Sequence, residues 1–182
     1  MLADRRSRLR SATESAHRRL DGVVEDAGYF RDRPSYTAYL RATLSARRPL
    51  ELALNHCGVD KLFDRWPDRI IAPALCADIQ DVTETAASTE SNSVIPGEGF
   101  SMAQAIGTLY VLEGSALGAR HFAQQTANPK TWSAFLRVLE AMSFDVSQED
   151  ECIAASKAAF YRFECAYAGE IFGRLRDAVV EL

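Results

Sequence analysis

Residues 109–120 read LYVLEGSALGAR and carry two glycines, Gly114 and Gly118, in what reads as the middle of a helix. A glycine in a helix interior costs about 1 kcal/mol relative to alanine, so two of them one helical turn apart indicate a use for the missing side chains. Close crossing of another helix, a kink, or a flat ligand lying on the bare backbone would each explain them. Spacing alone favours the helix crossing.

The composition is that of a folded protein with a sizeable core, since 47% of the 182 residues are hydrophobic and 25% are charged. We expect a single domain over residues 1–182. The net charge of −4 argues against general nucleic-acid binding, although arginines crowd the first twenty residues.

No apolar run approaches the roughly 18 residues that span a membrane, and the basic N-terminus lacks the apolar block of a signal peptide, so we expect a soluble, cytoplasmic protein. Four cysteines without CxxC spacing predict reduced, mostly buried thiols rather than a zinc site.

The hydrophobic pattern has the period of the α-helix, and no segment alternates as a strand does. Pro34 is expected in the first turn of the second helix, and Pro49 is expected to bend that helix. Residues 59–82 should form short helices or turns, and residues 82–99 an exposed connection. The sequence therefore predicts an all-α protein, with longer helices near residues 3–22, 34–58, 101–125, 130–142 and 148–180.

Several helix ends carry local signals. Ser101 and Gln104 have the spacing of a capping box, in which each side chain accepts a hydrogen bond from a backbone N–H of the first turn. Ser147, followed by acidic residues, predicts the cap of the last helix. Gly22 and Gly28 predict the end of the first helix or a turn just after it.

The first helix contains His17, one of only three histidines, within LRSATESAHRRLD. Arg10, Thr13 and Asp21 lie at −7, −4 and +4 from it, so the four side chains share one helical stripe. A carboxylate one turn from an imidazole can hold its ring N–H and strengthen it as a metal ligand. Seven residues span about 10 Å of helix, so Arg10 could meet the propionates of a porphyrin whose iron is bound to His17. The alternative, favoured by this segment alone, is an exposed, ion-paired histidine.

The two segments together carry a family resemblance. LRSATESAHRRLD, followed about a hundred residues later by GTLYVLEGSALGAR, resembles the heme oxygenases, particularly the small bacterial type. The resemblance extends through RPSYTAYL and AAFYRFE and covers most of the chain. It implies an all-helical fold with heme between a proximal helix and a kinked, glycine-rich distal helix. It also implies an enzyme that converts heme, its cofactor and substrate, to biliverdin, carbon monoxide and ferrous iron with dioxygen and external electrons.

The resemblance assigns roles along the first helix. His17 resembles the proximal iron ligand, and Asp21 stands where relatives place a carboxylate near the second ring nitrogen of that ligand. Arg10 occupies the position of a basic residue that meets a propionate. Thr13 lies on the same stripe and is expected to contact the cofactor.

Further cofactor contacts are implied on the later helices. Tyr110 resembles a tyrosine near a propionate, and Arg137, in WSAFLR, resembles a second basic anchor. Phe160 resembles an aromatic residue that walls the pocket from the last helix. Ordinary core packing explains Phe160 equally well.

The distal segment both matches and departs from the family pattern. Gly114 and Gly118 would let the helix approach the oxygen site, where a pocket working through water and backbone suits oxidation of the macrocycle. Ser115 stands where animal members have an aspartate, so any distal water would be organised by a hydroxyl or by residues elsewhere. Ala119, after the second glycine, adds only one methyl group. His121, on the same stripe, is read as lying beyond the heme edge, with a role as a second ligand as the alternative.

The resemblance also implies partners. Electrons would come from a donor such as a ferredoxin or a reductase, and the exposed N-terminal arginines could dock it, with a solvated charged face as the alternative. Biliverdin could supply a bilin-binding photoreceptor, or the released iron could be the wanted product. A heme carrier or sensor of the same fold without turnover is the second hypothesis. A thiaminase-like enzyme ranks last, because no cysteine has the context of a nucleophile.

Overall fold

The computed structural model describes residues 4–83, 99–118 and 129–180; the side chains of residues 116–118, 129 and 174–180 lie outside the described part. Within these ranges the chain is helical and has no strand, which confirms the predicted all-α class. None of the helices described is long and apolar enough to cross a membrane. Two short 3-10 helices, Val59–Lys61 and Trp66–Arg69, lie between the second and the third α-helix. The α-helices are α1 (Arg5–Asp26), α2 (Arg33–Asn55), α3 (Ala72–Thr83), α4 (Met102–Gly118), α5 (Pro129–Ala141) and α6 (Val146–Val180).

One of the two predicted helix caps is confirmed and the other is wrong. The Ser101 N–H donates to Gln104 Oε1 at 2.9 Å and the Gln104 N–H donates to Ser101 Oγ at 3.2 Å, as a capping box requires. At the start of α6 the cap is not Ser147. Asp145 and Gln148 form a second reciprocal pair there, with N–H···O distances of 2.9 and 3.0 Å. The Asp145 carboxylate precedes the Ser147 hydroxyl by two residues. It therefore accepts its hydrogen bond from a position just before the first turn of α6.

The first helix is longer than its sequence predicts. Gly22 lies inside α1, which continues to Asp26. Val23 and Val24 pack against the main core, so their burial offsets the cost of the helical glycine. The chain turns at Gly28, whose φ of +59° lies in the region that glycine adopts most easily.

The segment after α2 is also more regular than predicted. Residues 72–83 form a 12-residue α-helix rather than short turns, because Pro73 occupies its first turn and leaves the helix below it intact. Leu75 and Ile79 of α3 pack on Leu40 of α2 in a small second core. Helix α2 runs through Pro49 to Asn55. The expected connection at 84–98 and the expected helical residues 119–125 lie outside the described residues.

The cysteines are free, as expected, but most are not deeply buried. Only Cys152 is buried, Cys57 and Cys76 are half-buried, and Cys165 is exposed. The prediction of mostly buried thiols is therefore wrong. Burial, with a smaller contribution from Glu149, raises the pKa of Cys152 to about 12, so this thiol stays protonated at neutral pH.

A close helix crossing involves a glycine that the sequence analysis did not single out. A Cβ built on Gly107 of α4 would lie 2.0 Å from the carbonyl oxygen of Cys152 in α6. Ser156 Oγ of α6 donates to the Gly107 carbonyl at 2.8 Å. The two backbones therefore meet where only glycine fits, and this contact joins the two helices at the centre of the core.

Two buried ion pairs help to hold α4 against α2 and against the 3-10 helix Trp66–Arg69. Arg47 Nε lies 2.5 Å from Glu51 Oε1 within α2, and Arg69 pairs with Glu113 of α4. Arg47 also donates to the Leu112 carbonyl of α4 at 3.1 Å. The Glu51 carboxylate accepts from two backbone N–H groups at the start of α3, each at 3.0 Å. Every charge is paired, so removal of one partner would leave the other buried and uncompensated.

Gly107→Ala is expected to lower the free energy of unfolding by roughly 1–3 kcal/mol, because the added methyl group would overlap the Cys152 carbonyl and force α4 away from α6. Gly22→Ala is the matched control, since its added methyl group meets nothing within 4 Å. The control should raise the free energy of unfolding by up to about 1 kcal/mol. Urea denaturation of the two variants measures the difference, and equal stabilities would contradict the close crossing.

Candidate ligand-binding site

A cavity of about 1230 Å³ lies between α1, α4, α5 and α6. Pockets for drug-sized ligands span roughly 300–1,000 Å³, so this cavity has room for a larger ligand. Gly118 is the last residue of α4, and its surroundings and His121 lie outside the described part of the chain. The predicted site residues that line the cavity are Arg10, Thr13, His17, Asp21, Tyr110, Gly114, Ser115 and Phe160.

One wall of the cavity presents an oriented histidine. The His17 side chain, on α1, is 63% exposed, and its Nδ1 lies 2.8 Å from Asp21 Oδ2 one turn later. The ring of Phe160, from α6, stands edge-on to the imidazole with 5.8 Å between centroids. Because Asp21 engages Nδ1, Nε2 is the nitrogen that can bind a metal. The structure thus forms the histidine–carboxylate contact that the four-residue spacing predicted.

The lining contributed by α4 is bare at Gly114. A Cβ built there would have Trp132 Cζ3, at 4.0 Å, as its nearest neighbour in the described part of the chain, so none of the described helices crosses α4 closely at this residue. Of the three explanations for the glycine, close helix crossing is therefore wrong for Gly114. The neighbouring Ser115 also lines the cavity, but its hydroxyl donates to the Leu112 carbonyl at 3.0 Å. The hydroxyl is thereby turned towards its own helix.

One end of the cavity is cationic. Arg6 and Arg10 are exposed there and lie beside Tyr110, which is half-buried. Burial raises the pKa of Tyr110, while a hydrogen bond with Thr13 and the two guanidinium charges act in the opposite direction. The phenol is neutral at pH 7 and can donate a hydrogen bond. Two guanidinium groups and one hydroxyl therefore offer a site for an anionic group.

The other end of the cavity is aromatic, and the sequence analysis did not assign it a role. Tyr39 and Tyr167 stack with 5.6 Å between ring centroids, and Tyr29 donates to the Tyr167 carbonyl at 2.7 Å. Burial, followed by the nearby Tyr39, raises the pKa of Tyr167 well above its ordinary range. Aromatic rings from α2, from α6 and from the turn after α1 therefore gather at this end of the cavity. The sequence signal that could have identified this aromatic end is the pair of tyrosines at helical spacing in α2.

Helix α5 contributes a different residue from the one predicted. Arg137 is exposed and does not line the cavity, whereas Trp132 does. Burial of Phe135 and Leu139 sets the rotation of α5, and residues 132 and 137 differ by about 140° around the helix. Trp132 therefore turns inward, 6.0 Å from the Tyr110 ring, while Arg137 turns outward.

Comparison with known proteins finds heme oxygenases. The chain is 27% identical over 180 residues to the heme oxygenase PigA of Pseudomonas aeruginosa, a match that covers 87% of this chain and 89% of that protein. Its fold matches the NO- and CO-bound crystal structures of the heme oxygenase from Neisseria meningitidis with a TM-score of 0.79, at 20% identity and over 92% of each chain. No family model matches the sequence. The structural match covers almost the whole chain, so the all-α fold described above is that of the Neisseria meningitidis protein.

Gly114→Phe is expected to fill the cavity without disturbing a helix contact, because no atom lies closer than 4.0 Å to the position of the added Cβ. The dye 8-anilinonaphthalene-1-sulfonate combines aromatic rings with one anionic group and suits the two ends of the cavity. Its affinity, measured by fluorescence titration, should fall roughly tenfold or more in Gly114→Phe. Gly169→Phe, which adds the same ring at an open surface position, should bind the dye as the wild type does. Equal affinities in the two variants would contradict the cavity assignment.

Proposed function

We propose that this chain, a member of the heme oxygenase family, cleaves heme to biliverdin, carbon monoxide and ferrous iron with dioxygen and external electrons. One observation carries the proposal: a single cavity is lined both by an oriented histidine, His17 of α1, and by a bare stretch of helix at Gly114 of α4. A helix surface without a side chain is what a flat ligand and a small gas beside it require. The sequence relative and the shared fold support the same activity.

The residues present fit heme in three respects. His17 provides an imidazole whose second nitrogen is held by Asp21, the usual arrangement of a metal-binding histidine. Arg10 and Tyr110 provide a cation and a hydroxyl donor for propionates. The aromatic end of the cavity matches the apolar edge of a porphyrin. When bound, heme supplies both the iron that activates dioxygen and the macrocycle that is oxidised.

The proximal residues keep the histidine in the state that binds iron. Asp21 accepts a hydrogen bond from Nδ1–H, which fixes the tautomer with the Nε2 lone pair available for a metal. Phe160 packs against the ring edge and limits its rotation. Asp21 and Phe160 therefore act as positioning residues for His17.

The anionic edge of heme would bind at the cationic end of the cavity. Arg10 lies seven residues, or about 10 Å of helix, before His17, which suits the distance from iron to propionate. The neutral Tyr110 can donate to the same carboxylate, and Thr13 lines the cavity beside it, with its own hydroxyl donating to the Leu9 carbonyl at 2.7 Å. Arg137 has no part in this anchor, because it lies outside the cavity lining.

The described part of the distal wall offers backbone rather than an acidic side chain. Gly114 has no side chain, and the Ser115 hydroxyl is directed to the Leu112 carbonyl. The one carboxylate nearby on α4, that of Glu113, is buried and paired with Arg69. Protons would therefore reach the oxygen site through water and backbone groups, which suits oxidation of the macrocycle itself.

The electron donor would approach the cationic rim of the cavity. Arg6, Arg10 and Arg18 are exposed there and would attract an acidic protein such as a ferredoxin or a reductase. The product could pass to a bilin-binding photoreceptor or serve to release iron. We place the protein in the cytoplasm, where such donors are found.

Turnover of the heme complex tests the function. Loaded with hemin, the wild type should show a histidine-ligated heme spectrum, and with reductant and air it should develop the absorption of biliverdin. His17→Ala should lose both signals, and added imidazole should restore them by occupying the space that the ring left. His56→Ala is the matched control, since His56 is exposed and remote from the cavity lining.

Two results would change the assignment. A wild-type heme spectrum that persists in reductant and air would favour a carrier or sensor of the same fold over an enzyme. A wild-type spectrum in His17→Ala would contradict the ligand assignment and leave the fold unaffected.

Arg10→Ala is expected to weaken heme binding by roughly two- to tenfold, because it removes one partly screened charge from the propionate site. Arg137→Ala is the matched control and should bind heme as the wild type does. Repetition with heme dimethyl ester, which lacks the propionate charges, should abolish the effect of Arg10→Ala. An equal loss with heme and with the ester would show that Arg10 acts on the fold rather than on propionates.

A further inference from the structure

The outward face of α6 carries an apolar stripe that no described element covers. Tyr161 is 65% exposed and Phe172 is 71% exposed, both unusual for large apolar side chains. The inward face of the same helix is buried and lines the ligand cavity through Phe160 and Phe163. We call the outward set the α6 stripe; it consists of Ala154, Ala158, Tyr161, Cys165, Ala168 and Phe172.

The spacing of the α6 stripe is that of a helix-pairing seam. Its members recur at intervals of four and three residues in strict alternation, which is the order of intervals along the seam of a two-stranded coiled coil. The stripe spans about 27 Å of helix. Towards the N-terminus the same spacing reaches the polar residues Glu151 and Ser147, so the apolar run begins at Ala154.

We propose that a second copy of this chain covers the α6 stripe, with the two α6 helices antiparallel across a twofold axis. Side-chain volume along the stripe is uneven, because the small residues lie near its start and Phe172 lies near its end. An antiparallel pair centred on Phe163 sets Phe172 of each copy opposite Ala154 of the other. A parallel pair would instead set Phe172 against itself and leave a gap at Ala154.

The rest of the antiparallel register is also complementary. Tyr161 falls opposite Cys165 of the second copy, and Ala158 falls opposite Ala168. Each large side chain meets a small one, so the distance between helix axes can stay even along the contact. A twofold contact of this kind is isologous, which is the commonest arrangement in homodimers.

The charges beside the α6 stripe suit a protein partner better than a lipid surface. Arg162 donates to the Ala46 carbonyl of α2 at 3.1 Å, and Glu164 pairs with Arg19 of α1 at 3.1 Å. These two charges are satisfied within one copy and have opposite signs. An interfacial membrane helix typically has a strongly basic polar face, which this helix lacks.

The proposed contact leaves the ligand cavity accessible, because the cavity and the α6 stripe use opposite faces of α6. A single helix pair is narrower than the roughly 800 Å² per partner of a standard interface. We therefore expect a dimer that forms reversibly and depends on protein concentration. The proposal does not depend on the enzymatic activity.

Sedimentation velocity at roughly 10–200 µM protein tests the dimer. The wild type should shift from monomer to dimer over this range, and Phe172→Glu should remain monomeric with an unchanged circular dichroism spectrum. Val146→Glu is the matched control: Val146 is 80% exposed on the same helix but off the α6 stripe, so this variant should dimerise as the wild type does. If Phe172→Glu fails to fold, Tyr161→Glu replaces it. A wild type that stays monomeric throughout, or a Phe172→Glu variant that still dimerises, would overturn the proposal.

Disulfide trapping tests the antiparallel register. In a Cys165→Ser background, a mixture of Ala158→Cys and Ala168→Cys proteins should form a cross-link between the two variants, and Ala158→Cys alone should not cross-link. Preferential cross-linking of Ala158→Cys with itself would contradict the antiparallel arrangement. Co-sedimentation of a monomeric wild type with phosphatidylcholine vesicles, lost in Phe172→Glu, would assign the α6 stripe to a lipid surface and overturn the proposal.

Discussion

The contact between Gly107 and Cys152 is the constraint on which the rest of the structure depends. It brings the backbones of α4 and α6 together at one point, where a side chain would not fit. Gly114 lies two helical turns later on nearly the same face of α4, yet there the nearest atom to an added Cβ is 4.0 Å away. The two helices therefore touch at Gly107 and diverge towards Gly114, and the cavity occupies the space between them.

Buried charges hold α4 in this divergent position. Arg47 binds the Leu112 carbonyl, and Arg69 pairs with Glu113, so the two residues immediately before Gly114 are fixed from α2 and from the segment that follows it. Such pairs contribute little net stability compared with apolar packing, but they are costly to break singly. We infer that their value here is positional, because they fix the residues of α4 that directly precede its bare segment.

Helix α6 serves both sides of the molecule. Its inward face supplies the carbonyl that meets Gly107 and the aromatic ring of Phe160 that stands against His17. Its outward face carries the α6 stripe, which none of the described elements of one copy covers. The core, the ligand cavity and the proposed dimer thus share one 35-residue element. A change in the position of α6 would affect all three.

The sequence by itself determined the features that depend on neighbours along the chain. Helical periodicity, the capping box at the start of α4 and the contact between His17 and Asp21 all follow from spacings of three or four residues, which set the geometry within a single helix. Only the tertiary structure decided which glycine crosses another helix and which lines a cavity, because Gly107 and Gly114 are equivalent until α6 is in place. It also decided that Trp132, not Arg137, faces the cavity, since the rotation of α5 depends on what its apolar side packs against.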